Sequence, residues 1–193
     1  MEETPALVVV CRLPLEWRVL PAAAEGGALA RYAHAAVQVL QGELTADERR
    51  RVEPRSEDDA AVLQELHRVE AKLDLLLDLF AEWHQREQGL PPAVDCRWSV
   101  VDLQWESTAL PAGLAAPAES PAPVPVLVQL YPGPRSLRPL ELPGTLTAVT
   151  GPAGVQCQLV YGALGDLFAD TLGRYLFRLH RREVAETRAA SRR

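Results

Sequence analysis

A chain of 193 residues has room for one substantial domain, or for a small domain with an extension. A hydrophobic content of 48% excludes a wholly disordered protein, and a net charge of −6 argues against generic nucleic-acid binding. Sixteen prolines and twelve glycines point to many turns and a strand-rich portion, while nineteen arginines against a single lysine fit a GC-rich genome.

The first residues, MEETPA, are acidic and lead into no long apolar run, so they do not read as a signal peptide. No apolar run is long enough to span a bilayer, and a soluble cytoplasmic protein is expected. Residues 6–12, ALVVVCR, are β-branched and read as a buried strand. Pro14 is expected to interrupt it, and the alternation of Leu15, Trp17 and Val19 with Glu16 and Arg18 to start a second extended piece. After a turn over 21–27, Leu29, Ala33, Ala36, Val37 and Leu40 fall at helical spacing, and Gly42 is expected to end that helix. Thr45 with Glu48 fits a capping box for a further short turn. Ser56, followed by Glu57, Asp58 and Asp59, fits the start of a long helix.

That helix is predicted to run to about Gln88, where Gly89 and two prolines stop it. Val62, Leu66, Val69, Leu73, Leu76, Phe80 and Trp83 alternate in steps of four and three, a heptad pattern held for about three repeats. Leu63, Leu75, Leu77 and Leu79 widen the apolar surface beyond what a two-stranded coil uses. Two readings stand: a helix buried inside one subunit, or one that packs between subunits in a bundle. Asp74, Asp78 and Glu82 run along one face and read as a solvated acidic surface or a partner contact.

Beyond Pro92 the texture changes. Residues 94–105, 126–131, 137–150 and 155–161 read as short strands set between Pro/Gly turns, with a Pro/Ala loop over 111–125. The strand at 137–150 is expected to break at Pro143-Gly144. A small antiparallel barrel or sandwich follows. From Leu164 to about Thr187 the chain is helical again, with Leu164, Phe168, Leu172, Tyr175 and Leu179 as its apolar stripe. The order is that of an α+β fold. Residues 174–193 hold seven Arg against Glu183 and Glu186, a local balance of +5 that reads as a solvated helix end or as a patch for an acidic partner. Cys11, Cys96 and Cys157 are odd in number and widely spaced, and read as reduced, mostly buried thiols.

The segments CRLPLEWRVL, HRVEAKLDLLLDLF, CRWSVVDLQW and LGRYLFRLHRREVAETR, in that order, resemble atypical PilZ-domain proteins of gammaproteobacteria related to xanthomonads. The resemblance implies a six-stranded antiparallel β-barrel with long helices inserted after the first strand and a C-terminal helix. It divides the chain, as one PilZ-like domain, into a first strand region (1–22), a helical insertion for oligomerisation (23–90), the remaining barrel strands (91–162) and a basic C-terminal helix (163–193). Some members assemble as tetramers, which favours inter-subunit packing of Val62, Leu66, Val69, Leu73, Leu76, Phe80 and Trp83.

Typical PilZ domains hold cyclic di-GMP with an RxxxR segment before the barrel and a D/N-x-S-x-x-G motif on it. Here the second motif falls on residues 97–102, where Ser99 is kept but Arg97 and Asp102 replace the D/N and the Gly. A carboxylate there would repel a phosphodiester, and its Cβ would crowd the approach. RxxxR strings occur at Arg51–Arg55, Arg174–Arg178, Arg178–Arg182 and Arg188–Arg192, none in the family's position. The resemblance therefore implies a homo-oligomeric, non-enzymatic adaptor, with an unidentified regulatory protein as partner, in type IV pilus function, motility or virulence regulation. It uses no cofactor or metal, contacts no nucleic acid, inserts into no membrane and lacks the usual cyclic di-GMP mode. The competing reading is a cyclic di-GMP receptor using a displaced cluster of Arg174, Arg178, Arg181 and Arg182. His67 and Glu70 share a metal-type spacing, but a surface polar pair is the better reading, and no catalytic motif is present.

Overall fold

The computed structural model describes residues 7–48, 57–107, 123–133, 136, 138–151 and 154–190. The chain runs β1 (Val9–Val19), α1 (Gly27–Glu48), α2 (Glu57–Gln88), β2 (Ala93–Trp98), β3 (Asp102–Ser107), β4 (Val124–Leu130), β5 (Leu140–Gly151), β6 (Gly154–Tyr161) and α3 (Asp166–Ala190). The strands close into an antiparallel barrel in the order β1-β2-β3-β6-β5-β4, so no strand edge is left open for pairing with another chain.

Period-two alternation builds the barrel wall. Cys96, Trp98, Leu103, Trp105, Cys157 and Leu159 point inward and are buried, while Arg97, Gln104 and Gln158 between them point outward. On β4 three consecutive residues, Val126, Leu127 and Val128, are inaccessible. This strand is therefore covered on both faces, and α1 packs against β5 beside it. The α1 stripe expected from the sequence does the covering: Ala36, Val37 and Leu40 are buried, with Leu29 and Ala33 partly so.

α3 packs on α1 and contributes Phe168, Leu172, Tyr175 and Leu176 to the same core. Two polar bonds fix it. Tyr175 Oη donates to Pro132 O at 2.8 Å, and Arg178 Nη1 donates to Leu44 O near the C-terminal end of α1. That bond ties α3 to the last turns of α1.

Three expected breaks do not occur. β1 runs unbroken through Pro14, because Pro14 is where the strand changes partner: residues 9–14 pair with β2 and residues 15–19 with β4. A missing N–H is tolerated at such a corner. α1 runs through Gly42 to Glu48; burial of Leu40 and Leu44 outweighs the glycine's helix cost of about 1 kcal/mol. Thr45, expected to cap a new turn, instead donates back to Gln41 O at 2.9 Å within the same helix. β5 runs through Pro143 and Gly144, and a Cβ at Gly144 would lie 2.2 Å from Val160 O, so glycine there permits the close approach of β6. The expected cap Ser56, the Arg51–Arg55 string and the loop residues 111–122 lie outside the described residues.

The three cysteines are free thiols, two buried and Cys11 partly so. Burial pushes Cys96 up to about 12 and Cys11 and Cys157 to about 11, which leaves almost no thiolate near neutral pH and makes them packing groups.

Candidate functional site

Two surfaces stand out, one on α2 and one on the barrel. α2 is 32 residues long, and Ala81 is its only buried side chain among those described. Leu66, Val69, Leu73, Leu76, Phe80 and Trp83, with Leu75, Leu77 and Leu79 beside them, are 47% to 61% exposed. Phe80 and Trp83 stack on each other at 5.4 Å between ring centroids, with no core behind them. The helix therefore lies outside the core of its own subunit. Val62 lies on the same helix, with its side chain outside the described residues. His67 is exposed and Glu70 half-buried on α2.

The barrel's second surface is the outward side that α1 and α3 leave uncovered. Cross-strand pairing lines up Val10, Arg97, Gln104, Gln158 and Thr147 in one row over five strands. They form the middle of a shallow groove of about 720 Å³, whose margins include Glu106 and Val149.

Beside the middle of this row lies the segment 97–102, expected from the sequence to be a degenerate ligand motif. Ser99 is buried in the β2–β3 connection, and its Oγ accepts the N–H groups of Val101 and Asp102 at 3.2 and 3.0 Å. The same hydroxyl donates to Asp102 Oδ1 at 2.5 Å, while Gln104 and Gln158 each donate to Asp102 Oδ2 at 2.7 Å. Asp102 thus takes up, from within the chain, donors that an incoming anion would need. No non-glycine residue described has a positive φ, so Asp102, expected from the sequence to stand at the motif's glycine position, carries no left-handed backbone strain. Behind the turn, Tyr161 Oη donates to Ser99 O at 3.1 Å. The buried Trp98 indole N–H faces the Tyr161 hydroxyl but makes no hydrogen bond of good geometry.

Burial pushes the Asp102 carboxyl upward, but the bonds from Ser99, Gln104 and Gln158 and the nearby Arg97 charge outweigh it, and the net shift is downward. A carboxylate with a depressed folded pKa adds stability that is complete above its unfolded value near 3.9 and is lost as pH falls through the folded one. Carbon-detected NMR titration should place the Asp102 midpoint below the ordinary value. Asp102→Asn should flatten the acid-unfolding profile below pH ~4. A wild-type midpoint at or above the ordinary value would contradict the network.

The four arginines of the expected patch do not share one face. Arg178 turns to Leu44 O, Arg182 lies toward Tyr175, and Arg174 and Arg181 face solvent. Sequence reasoning missed Gln104 and Gln158, whose only signal was outward placement in alternating strands, and it gave Arg178 no packing role. Among the described residues no three His, Cys, Asp or Glu side chains gather as a metal site, and no helix is long and apolar enough to cross a membrane.

Comparisons with known proteins bear on this geometry. Residues 40–189 match the atypical PilZ domain, described as a cyclic di-GMP receptor. No curated protein matches the chain. A solved structure from Xanthomonas campestris, described as a pathogenic protein with a tetrameric PilZ domain self-assembled through an unusual helical bundle, is similar in fold. Its TM-score is 0.68 at 24% identity, over 95% of this chain and 93% of that one.

Proposed function

The chain belongs to the atypical PilZ domain family, and we propose that it is a non-enzymatic regulatory adaptor that self-assembles through α2 and acts by protein–protein contact. The observation that carries this reading is the exposed apolar surface of α2. A monomer would leave nine large apolar side chains of one helix facing water, a patch of the kind that marks an interaction site. The similar Xanthomonas campestris protein is described as tetrameric through a helical bundle, and the breadth of the α2 surface, with Leu75, Leu77 and Leu79 off the main row, suits a helix with more than one neighbour. The setting that the family resemblance implies is cytoplasmic, in type IV pilus function, motility or virulence regulation.

The same reading holds that cyclic di-GMP does not bind in the usual mode. Its support is Asp102, which occupies the glycine position with a carboxylate and engages Ser99, Gln104 and Gln158 itself. The competing receptor reading draws on the family's description and on the solvent-facing arginines of α3. Calorimetric titration of the whole protein with cyclic di-GMP separates the two. No heat of binding up to high micromolar ligand is expected, whereas micromolar or tighter binding would sink the adaptor-only reading.

A further inference from the structure

The solvent side of α3 carries a pattern that the barrel and α1 leave unused. Residues seven apart share one strip of a helix. Leu167, Arg174, Arg181 and Arg188 form one strip, and Asp170, Phe177 and Val184 form the strip beside it. All are exposed except Val184, which is half-buried, and Leu167 and Phe177 are exposed to 65% and 56%. Among the described residues, Arg174, Arg181 and Arg188 have no ion-pair or hydrogen-bond partner. Phe177 sits one turn from both Arg174 and Arg181, an aromatic centre with a guanidinium on either side.

We propose that this strip is the docking surface for an acidic amphipathic helix of a partner protein. The proposal rests on the adaptor reading and names the surface through which it acts. Charge selects the partner's sign: three guanidinium groups face outward on a chain of net charge −6, each able to fork onto a carboxylate. Spacing selects its shape. Arginines seven residues apart recur every ~10.5 Å along α3, the repeat that a second helix lying alongside at a shallow angle presents. A nucleic-acid duplex offers charge every ~1.7 Å and would meet a denser basic surface. A membrane-lying helix needs a broad apolar face, and the broad apolar face of α3 is already spent on the barrel through Phe168, Leu172 and Leu176. What remains, one aromatic between arginines, is the composition that concentrates binding energy at protein interfaces.

Fluorescence anisotropy tests this with the full chain and a labelled helical peptide of about three heptads, Leu along its seam and Glu on both flanks. Wild-type protein should bind it, with affinity falling about tenfold or more in Phe177→Ala and in Arg174→Glu/Arg181→Glu. The double variant should instead prefer the same peptide with Lys in place of Glu. Light scattering should show both variants with the particle size of wild type. Equal affinity for wild type and variants would place the peptide elsewhere and overturn the proposal. So would arginine-dependent binding to phosphatidylglycerol vesicles without peptide binding, which would make the strip a membrane surface. Cyclic di-GMP calorimetry on the wild type decides the adaptor reading independently of these outcomes.

Discussion

If α2 carries the proposed assembly, a chain with Leu73→Glu and Phe80→Glu should run as a smaller particle than wild type in light scattering coupled to size exclusion, with its strand circular dichroism unchanged. The reason is that both side chains, about half exposed on α2, pack into no core of the subunit, Phe80 meeting only Trp83 of its own helix. Placing carboxylates there costs the isolated subunit almost nothing. In an assembly the same carboxylates would lose water without a counter-charge, a penalty of several kcal/mol per group. Each ~1.4 kcal/mol is a tenfold change in an association constant, so two substitutions per subunit should abolish assembly at any ordinary concentration. A wild-type chain that is monomeric at tens of micromolar would refute self-assembly outright.

Trp98→Ala acts on the opposite kind of residue and should cost about 3–5 kcal/mol, a large share of the ~5–15 kcal/mol that holds a domain folded. Trp98 is fully inaccessible and meets Tyr175 of α3 at 5.8 Å between ring centroids, so its loss opens a cavity where the barrel meets its closing helix. Trp98→Phe should be far milder. The indole N–H only faces the Tyr161 hydroxyl, without a hydrogen bond of good geometry, so losing it leaves no strong bond unmade. Urea denaturation followed by circular dichroism gives both values, with midpoints moving and slopes unchanged. A Trp98→Ala midpoint within ~1 kcal/mol of wild type would show that the junction is not part of the cooperative core.

Readings that depend on pattern fared differently from those that depend on single residues. The α1 stripe of Ala36, Val37 and Leu40 and the α3 stripe of Phe168, Leu172 and Tyr175 are buried as their spacing implies, because periodicity sums over many residues. Pro14, Gly42 and Pro143-Gly144 look like breaks in the sequence, yet β1, α1 and β5 run through them. Each is a weak local preference, of order 1 kcal/mol or a single missing hydrogen bond, set against the packing of a whole strand or helix. Proline survives in β1 because the strand turns from one neighbour to another at that residue, a fact about the closed barrel that no window of sequence contains.

The site followed the same division. That Asp102 departs from the ligand motif is visible in the residues, since an Asp for a Gly changes charge and shape at once. That it is held by Gln104 and Gln158 is not, because Gln158 lies 56 residues away and meets it only through β3–β6 pairing. By itself the sequence determined the secondary-structure periods, the family and the row of apolar residues along α2, all consequences of local order along one chain. The tertiary structure decided which apolar faces are covered, which arginines are engaged and which face solvent. Burial and hydrogen bonding depend on what lies opposite a side chain, and only chain closure puts it there.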